Sequence, residues 1–300
     1  MSALARPAAE SLSAWIEREL ARFERAAAAQ LPPAAQEPAR LHEAMRYAVL
    51  QGGKRVRPLL VYAAGATLGA AEGSLDGAAL AVEYVHVYSL IHDDLPCMDD
   101  DVLRRGKPTV HVAYDEATAM LAGDALQAEA FKVLADAPLP AEVRAALMRE
   151  LAHAASTAGM CGGQAIDLAA VGSAMTPANL EQMHRMKTGA LLRAAIRMGA
   201  LAAGAPQVPD SFERYAQAIG LAFQVVDDVL DVEATSDQLG KTAGKDAQQG
   251  KPTYVSVLGL AEAKRRAGAL HAEAVAALAP LGAGARRLRE LADFIVLRKS

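Results

Sequence analysis

Three observations predict an all-α fold, built as one large helical bundle. Hydrophobic residues make up 52% of the 300 residues, so a sizeable core is available. Aromatic residues account for only 4%, while alanine, the strongest helix former, is abundant. The alternation of apolar and polar residues that marks a half-buried strand is scarce. Because no linker long enough to separate two domains interrupts the chain, we expect residues 1–300 to form a single domain.

The helices are predicted in chain order from apolar periodicity, and prolines and glycines separate them. Leu12, Ile16, Leu20 and Phe23 fall on one face of the first helix, which Pro32-Pro33 ends. Further helices are expected around 38–49, 59–68, 76–91, 113–134, 142–168, 177–189 and 219–226, with two more in 259–300. The 142–168 segment contains Gly162-Gly163; since glycine destabilises a helix interior, this pair is expected to permit close packing or a kink.

Charge and cysteine content exclude several classes of function. The net charge of −4 argues against a nucleic-acid partner. Cys97 and Cys161 form neither a disulfide framework nor a metal-ligand spacing, which favours a reducing cytoplasm. Met1 to Glu10 lacks the apolar region of a signal peptide, and no apolar run reaches membrane-spanning length. We therefore expect a soluble cytoplasmic protein without stable membrane insertion.

The stretch from Asp93 to Asp101 places five carboxylates directly after the apolar run Val82–Ile91. Negative charge at the C-terminus of a helix opposes the helix dipole, so the cluster is unfavourable unless cations compensate it. On an unbroken helix Asp93 and Asp99 would lie about 240° apart, too far to share a ligand. Pro96 removes a backbone donor and is expected to end or bulge the helix, which would swing Asp99 back toward Asp93.

A second acidic cluster, Asp227-Asp228-Val229-Leu230-Asp231, follows the apolar stretch Ile219–Val226. Asp227 and Asp231 are four residues apart and share a helix face. The alternative for either cluster is an ordinary polar helix end. Two clusters at helix C-termini favour hard divalent cations bound by oxygen, with Mg²⁺ preferred because it leaves room for phosphate oxygens.

Basic residues also gather in turns. Lys54-Arg55-Val56-Arg57-Pro58 follows Gly52-Gly53, and this turn is either a solvated basic loop or an anion site. The segment 240–251 is rich in glycine and lysine but lacks the order of a nucleotide-binding loop. Taken singly, Lys187 suggests a snorkelling side chain, and Gln224 and His86 suggest packed helix residues.

Acidic pairs combined with scattered cations are typical of a site that holds diphosphates through metal ions. No serine or cysteine nucleophile with a partner base is apparent. Such a site suits ionisation of a C–O bond with diphosphate leaving, while an apolar helical bundle shelters the carbocation from water.

The chain resembles the bacterial farnesyl diphosphate synthases of the trans-prenyltransferase family over nearly its entire length. The most specific motifs are Asp93-Asp94-Leu95-Pro96-Cys97-Met98-Asp99 with Arg104-Arg105-Gly106-Lys107-Pro108-Thr109, and Gln224-Val225-Val226-Asp227-Asp228-Val229-Leu230-Asp231. Lys187-Thr188-Gly189 and Leu239-Gly240-Lys241 support it. The resemblance implies a helical bundle with both aspartate motifs facing a deep central cavity, and a homodimer.

The resemblance also implies the site residues. Mg²⁺, for which Mn²⁺ substitutes, would be bound as roughly three ions by Asp93, Asp94, Asp99, Asp227, Asp228 and Asp231. Isopentenyl diphosphate would contact Lys54, Arg57, His86 and Arg105. The allylic diphosphate would contact Arg104, Lys187, Thr188, Gln224, Lys241 and Lys251. Lys187, Thr188 and Gln224 would be catalytic. The growing tail would run down the helix that carries the first motif, toward Tyr88 and Ser89, with Tyr88 as the floor.

The implied reaction joins isopentenyl diphosphate to dimethylallyl and then geranyl diphosphate, giving (2E,6E)-farnesyl diphosphate and releasing diphosphate. A geranylgeranyl diphosphate synthase is the near alternative, differing in cavity depth. A terpene cyclase is more distant, since cyclases typically replace the second aspartate motif. A non-catalytic partner subunit is the remaining alternative, and the intact metal motifs argue against it.

Overall fold

The computed structural model describes residues 10–71, 73–233 and 251–298, and the all-α prediction is confirmed. The described helices, in our numbering, are α1 Leu12–Gln30, α2 Ala39–Leu50, α3 Val56–Thr67, α4 Asp76–Asp93, α5 Val110–Ala113, α6 Glu116–Ala135, α7 Ala141–Ala155, α8 Met160–Ala169, α9 Pro177–His184, α10 Ala190–Ala202, α11 Asp210–Glu233, α12 Tyr254–Leu258, α13 Leu260–Ala277 and α14 Arg286–Val296. A π-helical turn, Arg185–Gly189, joins α9 to α10, and a 3₁₀ segment, Ala279–Ala285, precedes α14.

The described strands are β1 Leu103–Arg104 and β2 Lys107–Pro108, which form one short antiparallel ribbon. Leu103 pairs with Pro108 and Arg104 with Lys107, so the ribbon carries the basic residues that follow the first acidic cluster. Arg105 and Gly106 make its turn, both with positive φ.

Helix α4 lies at the centre of the bundle and packs against α3, α6 and α10. It is buried on nearly every side between Ala78 and Ile91, which explains why its sequence is apolar all round rather than on one face. The outer helices α1 and α14 are amphipathic and cover the core with one face each. Within the described part of the chain, no helix has the length and apolar character needed to cross a bilayer.

Two predicted helices are each divided in the structure. The segment 142–168 was expected to be continuous, but α7 ends at Ala155 and α8 begins at Met160. Gly159 has φ −130° and ψ −132°, outside the helical region, and a Cβ there would meet the Ala154 carbonyl oxygen at 2.1 Å. The segment 113–134 is divided at Asp115, whose side chain accepts a hydrogen bond from Thr118 N at 2.7 Å and caps α6.

The end of α4 agrees with the effect predicted for Pro96. The helix ends at Asp93, three residues before the proline. The chain then turns back on itself, so that Asp99 N donates to the Asp93 carbonyl oxygen at 2.8 Å and Asp101 N donates to that of Asp94 at 3.2 Å. The two ends of the acidic cluster are therefore adjacent.

Gly163 allows α8 to lie directly against the π-helical turn. A Cβ on Gly163 would meet Lys187 N at 2.2 Å and Lys187 Cα at 2.5 Å. These are backbone atoms and cannot move away cheaply. The expectation that the glycine pair permits close packing is confirmed, and the element that it approaches carries Lys187 and Thr188.

We expect Gly163→Ala to lower the free energy of unfolding by about 2–4 kcal/mol, because one added methyl group must push two helical segments apart. Gly268→Ala in α13 is the matched control, since nothing lies within 4 Å of a Cβ there. That change should be neutral or stabilising by up to about 1 kcal/mol. Urea denaturation of both variants measures the difference, and equal stabilities would contradict the close approach.

Candidate active site

The two acidic clusters meet at a polar cavity of about 120 Å³. Residues from several distant segments line it: Asp99, Asp167, His184, Lys187, Gln224, Asp228, Lys251, Pro252 and Thr253. The cavity joins the turn after α4, the inner face of α8, the π-helical turn, the end of α11 and the start of α12. Carboxylates and ammonium groups therefore alternate around one space.

In the first cluster, Asp93 and Asp94 have different partners. Asp93 Oδ1 accepts a hydrogen bond from Gln164 Nε2 of α8 at 2.8 Å. Asp94 is buried and accepts from Arg104 Nε at 2.8 Å and Arg104 Nη2 at 2.6 Å. Burial raises the pKa of both carboxyls; nearby Lys187 opposes the shift for Asp93, and the Arg104 hydrogen bonds oppose it for Asp94.

A chain of alternating charges crosses the cavity from the first cluster. Lys251 Nζ lies 2.7 Å from Asp99 Oδ1 and 4.0 Å from Asp167 Oδ2. Lys187 Nζ lies 2.6 Å from Asp167 Oδ2. Although burial lowers the pKa of Lys187, Asp167 and Asp93 outweigh it, so the pKa is raised and the side chain stays charged. Lys187 is therefore not a snorkelling side chain, because its ammonium group binds the buried carboxylate of Asp167.

Sequence reasoning missed Asp167, a buried carboxylate that binds Lys187 and lies near Lys251. The sequence does contain an indication of this role, because Gln164 and Asp167 are three residues apart and share a face of α8. Gln164 holds Asp93 while Asp167 holds Lys187. A glutamine and an aspartate at this spacing, directly after a glycine pair that allows close packing, could have indicated a helix facing the site.

In the second cluster, one hydrogen-bonded chain fixes Gln224. Thr188 Oγ1 donates to Gln224 Oε1 at 2.9 Å, and Gln224 Nε2 donates to Asp228 Oδ1 at 2.8 Å. Asp228 Oδ2 accepts from Tyr254 N at 2.7 Å, so both its oxygens already have partners. Asp231 is also buried. Asp227 is more exposed, and Arg298 forms an ion pair with it.

Within the described ranges, no three His, Cys, Asp or Glu side chains form a ready-made metal cluster. The physical reason is visible, since cationic side chains bind three of the six predicted ligands: Arg104 on Asp94, Lys251 on Asp99 and Arg298 on Asp227. The donor chemistry nevertheless fits Mg²⁺, because the oxygens are carboxylates and Asp93 and Asp99 repel each other.

The structure brings Arg57, His86 and Arg105 together. Burial lowers the pKa of both arginines, and burial together with these two guanidinium groups lowers the pKa of His86 well below its usual range. Arg105 lies against the glycine turn, where a Cβ on Gly53 would meet its guanidinium carbon at 2.5 Å. Lys54 lies nearer the second cluster, since Arg298 and Asp227 both influence its pKa, which burial lowers.

The predicted floor residues lie below the first cluster. Tyr88 is 5% exposed, and its hydroxyl lies 3.8 Å from Cys161 Sγ of α8. Ser89 is also buried, but its hydroxyl donates to the His86 carbonyl oxygen of its own helix at 2.8 Å. Lys241 and nearly all of the glycine- and lysine-rich segment 240–251 lie outside the described residues. Arg298 contacts Asp227.

His184 provides a test of the cavity's electrostatics. Its ring is buried and stacks on Tyr254, with ring centroids 5.4 Å apart. Burial lowers its pKa to about 4, while Asp167 partly opposes this shift. As the pH falls below the unfolded value near 6.5, the unfolded chain takes up a proton that the folded site rejects until about pH 4.

As the pH is lowered from 6.5 to about 4, we therefore expect His184 alone to reduce the free energy of unfolding by about 1.4 kcal/mol per pH unit. His184→Phe keeps a stacking ring but cannot titrate, so its unfolding free energy should depend less steeply on pH between those limits. Urea denaturation at several pH values compares the slopes. Parallel curves for the two proteins would contradict the buried neutral imidazole.

Comparison with known proteins gives a consistent result. The family model described as polyprenyl synthetase matches residues 38–277. The farnesyl diphosphate synthase of Escherichia coli (strain K12) is 51% identical over 265 residues, covering 85% of this chain and 88% of the relative. The chloroplastic geranylgeranyl pyrophosphate synthase of Capsicum annuum is 46% identical over 268 residues, covering 87% and 72%.

A solved structure shares the whole architecture. The geranyltransferase of Helicobacter pylori, crystallised with magnesium and isoprenyl diphosphate, superposes with a TM-score of 0.84 at 32% sequence identity. The match covers 99% of this chain and 98% of that one.

Proposed function

The chain belongs to the polyprenyl synthetase family, and from that premise we propose that it makes (2E,6E)-farnesyl diphosphate. It condenses isopentenyl diphosphate with dimethylallyl diphosphate and then with geranyl diphosphate, releasing one diphosphate each time. The observation that carries the proposal is the cavity where carboxylates of both clusters meet Lys187 and Lys251. The high identity to the E. coli enzyme supports a C15 product.

We assign the allylic diphosphate to the cations around this cavity. The proposed contacts are Arg104, Lys187, Thr188, Gln224, Lys241 and Lys251. Lys187 and Lys251 are supported by their positions on either side of Asp167. A charged ammonium group held this way stabilises negative charge that develops on the leaving diphosphate, without having to reorganise during the reaction.

Thr188 and Gln224 are proposed to stabilise the allylic cation, with Lys187 as the third catalytic residue. The hydrogen bonds along Thr188, Gln224 and Asp228 fix the amide so that its oxygen points toward Thr188. Oxygen dipoles fixed in advance favour a positive charge at the reacting carbon. The isopentenyl double bond then attacks that carbon, and a proton leaves toward the released diphosphate.

Six aspartates are proposed to hold Mg²⁺: Asp93, Asp94, Asp99, Asp227, Asp228 and Asp231. Ions bound there, roughly three per site, would supply positive charge that neutralises the diphosphate, and Mn²⁺ would substitute for Mg²⁺. Asp94, Asp99 and Asp227 must first give up or share the cations that now bind them. The magnesium in the Helicobacter geranyltransferase supports this assignment.

Isopentenyl diphosphate is assigned to Lys54, Arg57, His86 and Arg105. The grouping of Arg57, His86 and Arg105 supports this, because three donors around one space match a diphosphate. A bound anion would offset the repulsion between the buried guanidinium group of Arg57 and the more exposed one of Arg105. Ser89 and Tyr88 are proposed to bound the tail cavity, with Tyr88 as its floor.

We also propose a homodimer of single-domain subunits in the cytoplasm. The exposed apolar side chains of Val112, Met120 and Leu121, at 49%, 42% and 56% exposure, lie on α5 and the start of α6 and suit a second copy. Both cysteines are free thiols, which agrees with a reducing compartment.

A geranylgeranyl diphosphate product is the second candidate, because synthases of that product also match at 46% identity. The buried ring of Tyr88 favours the shorter product. A terpene cyclase or a non-catalytic subunit fits less well, since the second aspartate cluster is complete and contacts Gln224 and Arg298.

We expect Asp93→Ala and Asp227→Ala each to lower turnover by about 10³-fold or more, because each removes a ligand of the proposed metal ions. Asp136→Ala, at the exposed end of α6, is the control and should keep full activity. Magnesium-dependent release of diphosphate is the measurement. Near wild-type rates in either cluster variant would overturn the proposed metal site.

We expect Tyr88→Ala to release products longer than C15, because removing the ring opens a cavity that the growing tail fills. Tyr88→Phe is the matched control: it keeps the ring, loses the hydroxyl that contacts Cys161 and Gln127, and should still stop at C15. Chromatography of the dephosphorylated products measures their lengths. If Tyr88→Ala also stops at C15 with full activity, the floor lies elsewhere.

A further inference from the structure

Arg55 lies between two residues of the proposed isopentenyl set, yet it faces the protein interior. Its side chain is 0% exposed. Arg55 Nη1 lies 3.0 Å from Glu83 Oε1 and Nη2 lies 2.9 Å from Glu24 Oε1, while a further bond reaches the Val49 carbonyl oxygen. A guanidinium removed from water needs such partners, so Arg55 anchors the turn rather than binding a substrate.

The turn that Arg55 anchors has an unusual backbone. Gly52 and Gly53 have φ values of 80° and 130°, and Arg55 itself has φ 45°. A residue with a side chain costs about 1–3 kcal/mol in such a region unless its surroundings hold it there. The ion pairs of Arg55 with Glu24 and Glu83 stabilise this backbone conformation. Helix α3 begins at Val56, so the bend decides where Lys54 and Arg57 point.

Glu83 is the buried partner of Arg55. It lies on α4, one turn before His86, and is 1% exposed. Its Oε1 binds Arg55, whereas Oε2 is buried without a hydrogen-bond partner among the residues described. Glu83 also raises the pKa of Arg57 and Arg105 against the effect of burial, which places its charge close to both. A buried carboxylate oxygen without a hydrogen-bond partner is rare in folded proteins, and it often indicates a functional role.

We propose that Glu83 is a positioning residue of the isopentenyl diphosphate site. Its ion pair with Arg55 fixes the bend that presents Lys54 and Arg57, and its charge offsets the repulsion among the cations that crowd around one diphosphate. This inference rests on the proposed function, because it assigns a support to that site. Glu83 itself touches no substrate.

The test compares Glu83→Gln with Glu24→Gln, since both remove one carboxylate from the same guanidinium. Glu24 is 35% exposed, so water replaces it, whereas nothing replaces Glu83. For Glu83→Gln we expect the KM for isopentenyl diphosphate to rise about tenfold or more, with kcat and the allylic KM within about threefold. Glu24→Gln should stay within about twofold on every constant.

Titration calorimetry of isopentenyl diphosphate, with a chelator present, provides a readout without turnover and should show the same tenfold loss for Glu83→Gln. Glu83→Asp keeps the negative charge and should recover part of the affinity for isopentenyl diphosphate. If Glu83→Gln does not fold, the same measurements are made on Glu83→Asp. Equal losses for both substrates, or unchanged affinity in Glu83→Gln and Glu83→Asp, would overturn the inference. A wild-type protein that does not consume isopentenyl diphosphate would instead overturn the proposed function.

Discussion

Negative charge concentrated at the ends of two helices is the constraint on which the rest of the structure depends. Two carboxylates about 4 Å apart repel by roughly 4 kcal/mol at an effective dielectric constant near 20. The chain offsets this repulsion with Arg104, Lys251 and Arg298, which come from the ribbon, the segment before α12 and the C-terminal end. Distant parts of the sequence therefore converge on the two acidic clusters and form ion pairs with them. In the proposed site, substrate binding would be an exchange of partners around carboxylates that already form ion pairs.

The two proposed diphosphate sites share one physical arrangement. Around the allylic site, the buried carboxylate of Asp167 holds Lys187 and lies near Lys251. Around the isopentenyl site, the buried carboxylate of Glu83 holds Arg55. In each case a carboxylate behind the cations keeps like charges close together before an anion arrives. Cations arranged in advance need little reorganisation, which is the main source of electrostatic catalysis.

Much of this arrangement could be predicted from local sequence, and the remainder depends on packing. Pro96 indicates that the chain turns after α4, and the hydrogen bond from Asp99 N to the Asp93 carbonyl oxygen agrees. The role of Arg55 could not be predicted, because its carboxylate partners Glu24 and Glu83 are distant in sequence. Lys54, Arg55 and Arg57 look alike in the sequence, although the Arg55 side chain is fully buried. The division at Gly159 was missed because apolar periodicity continues across it.

The π-helical turn at Arg185–Gly189 carries a consequence for how this chain can change in evolution. Such a turn contains one residue more than an α-helical turn and often marks a functional position. Deleting that residue would restore a regular helix and rotate everything on one side by about 100° relative to the other. Lys187 would then turn away from Asp167, while α10 kept its place in the core. Length variation among related chains should therefore avoid these five residues and collect in the surface connections, where a shift in register changes no contact with the cavity.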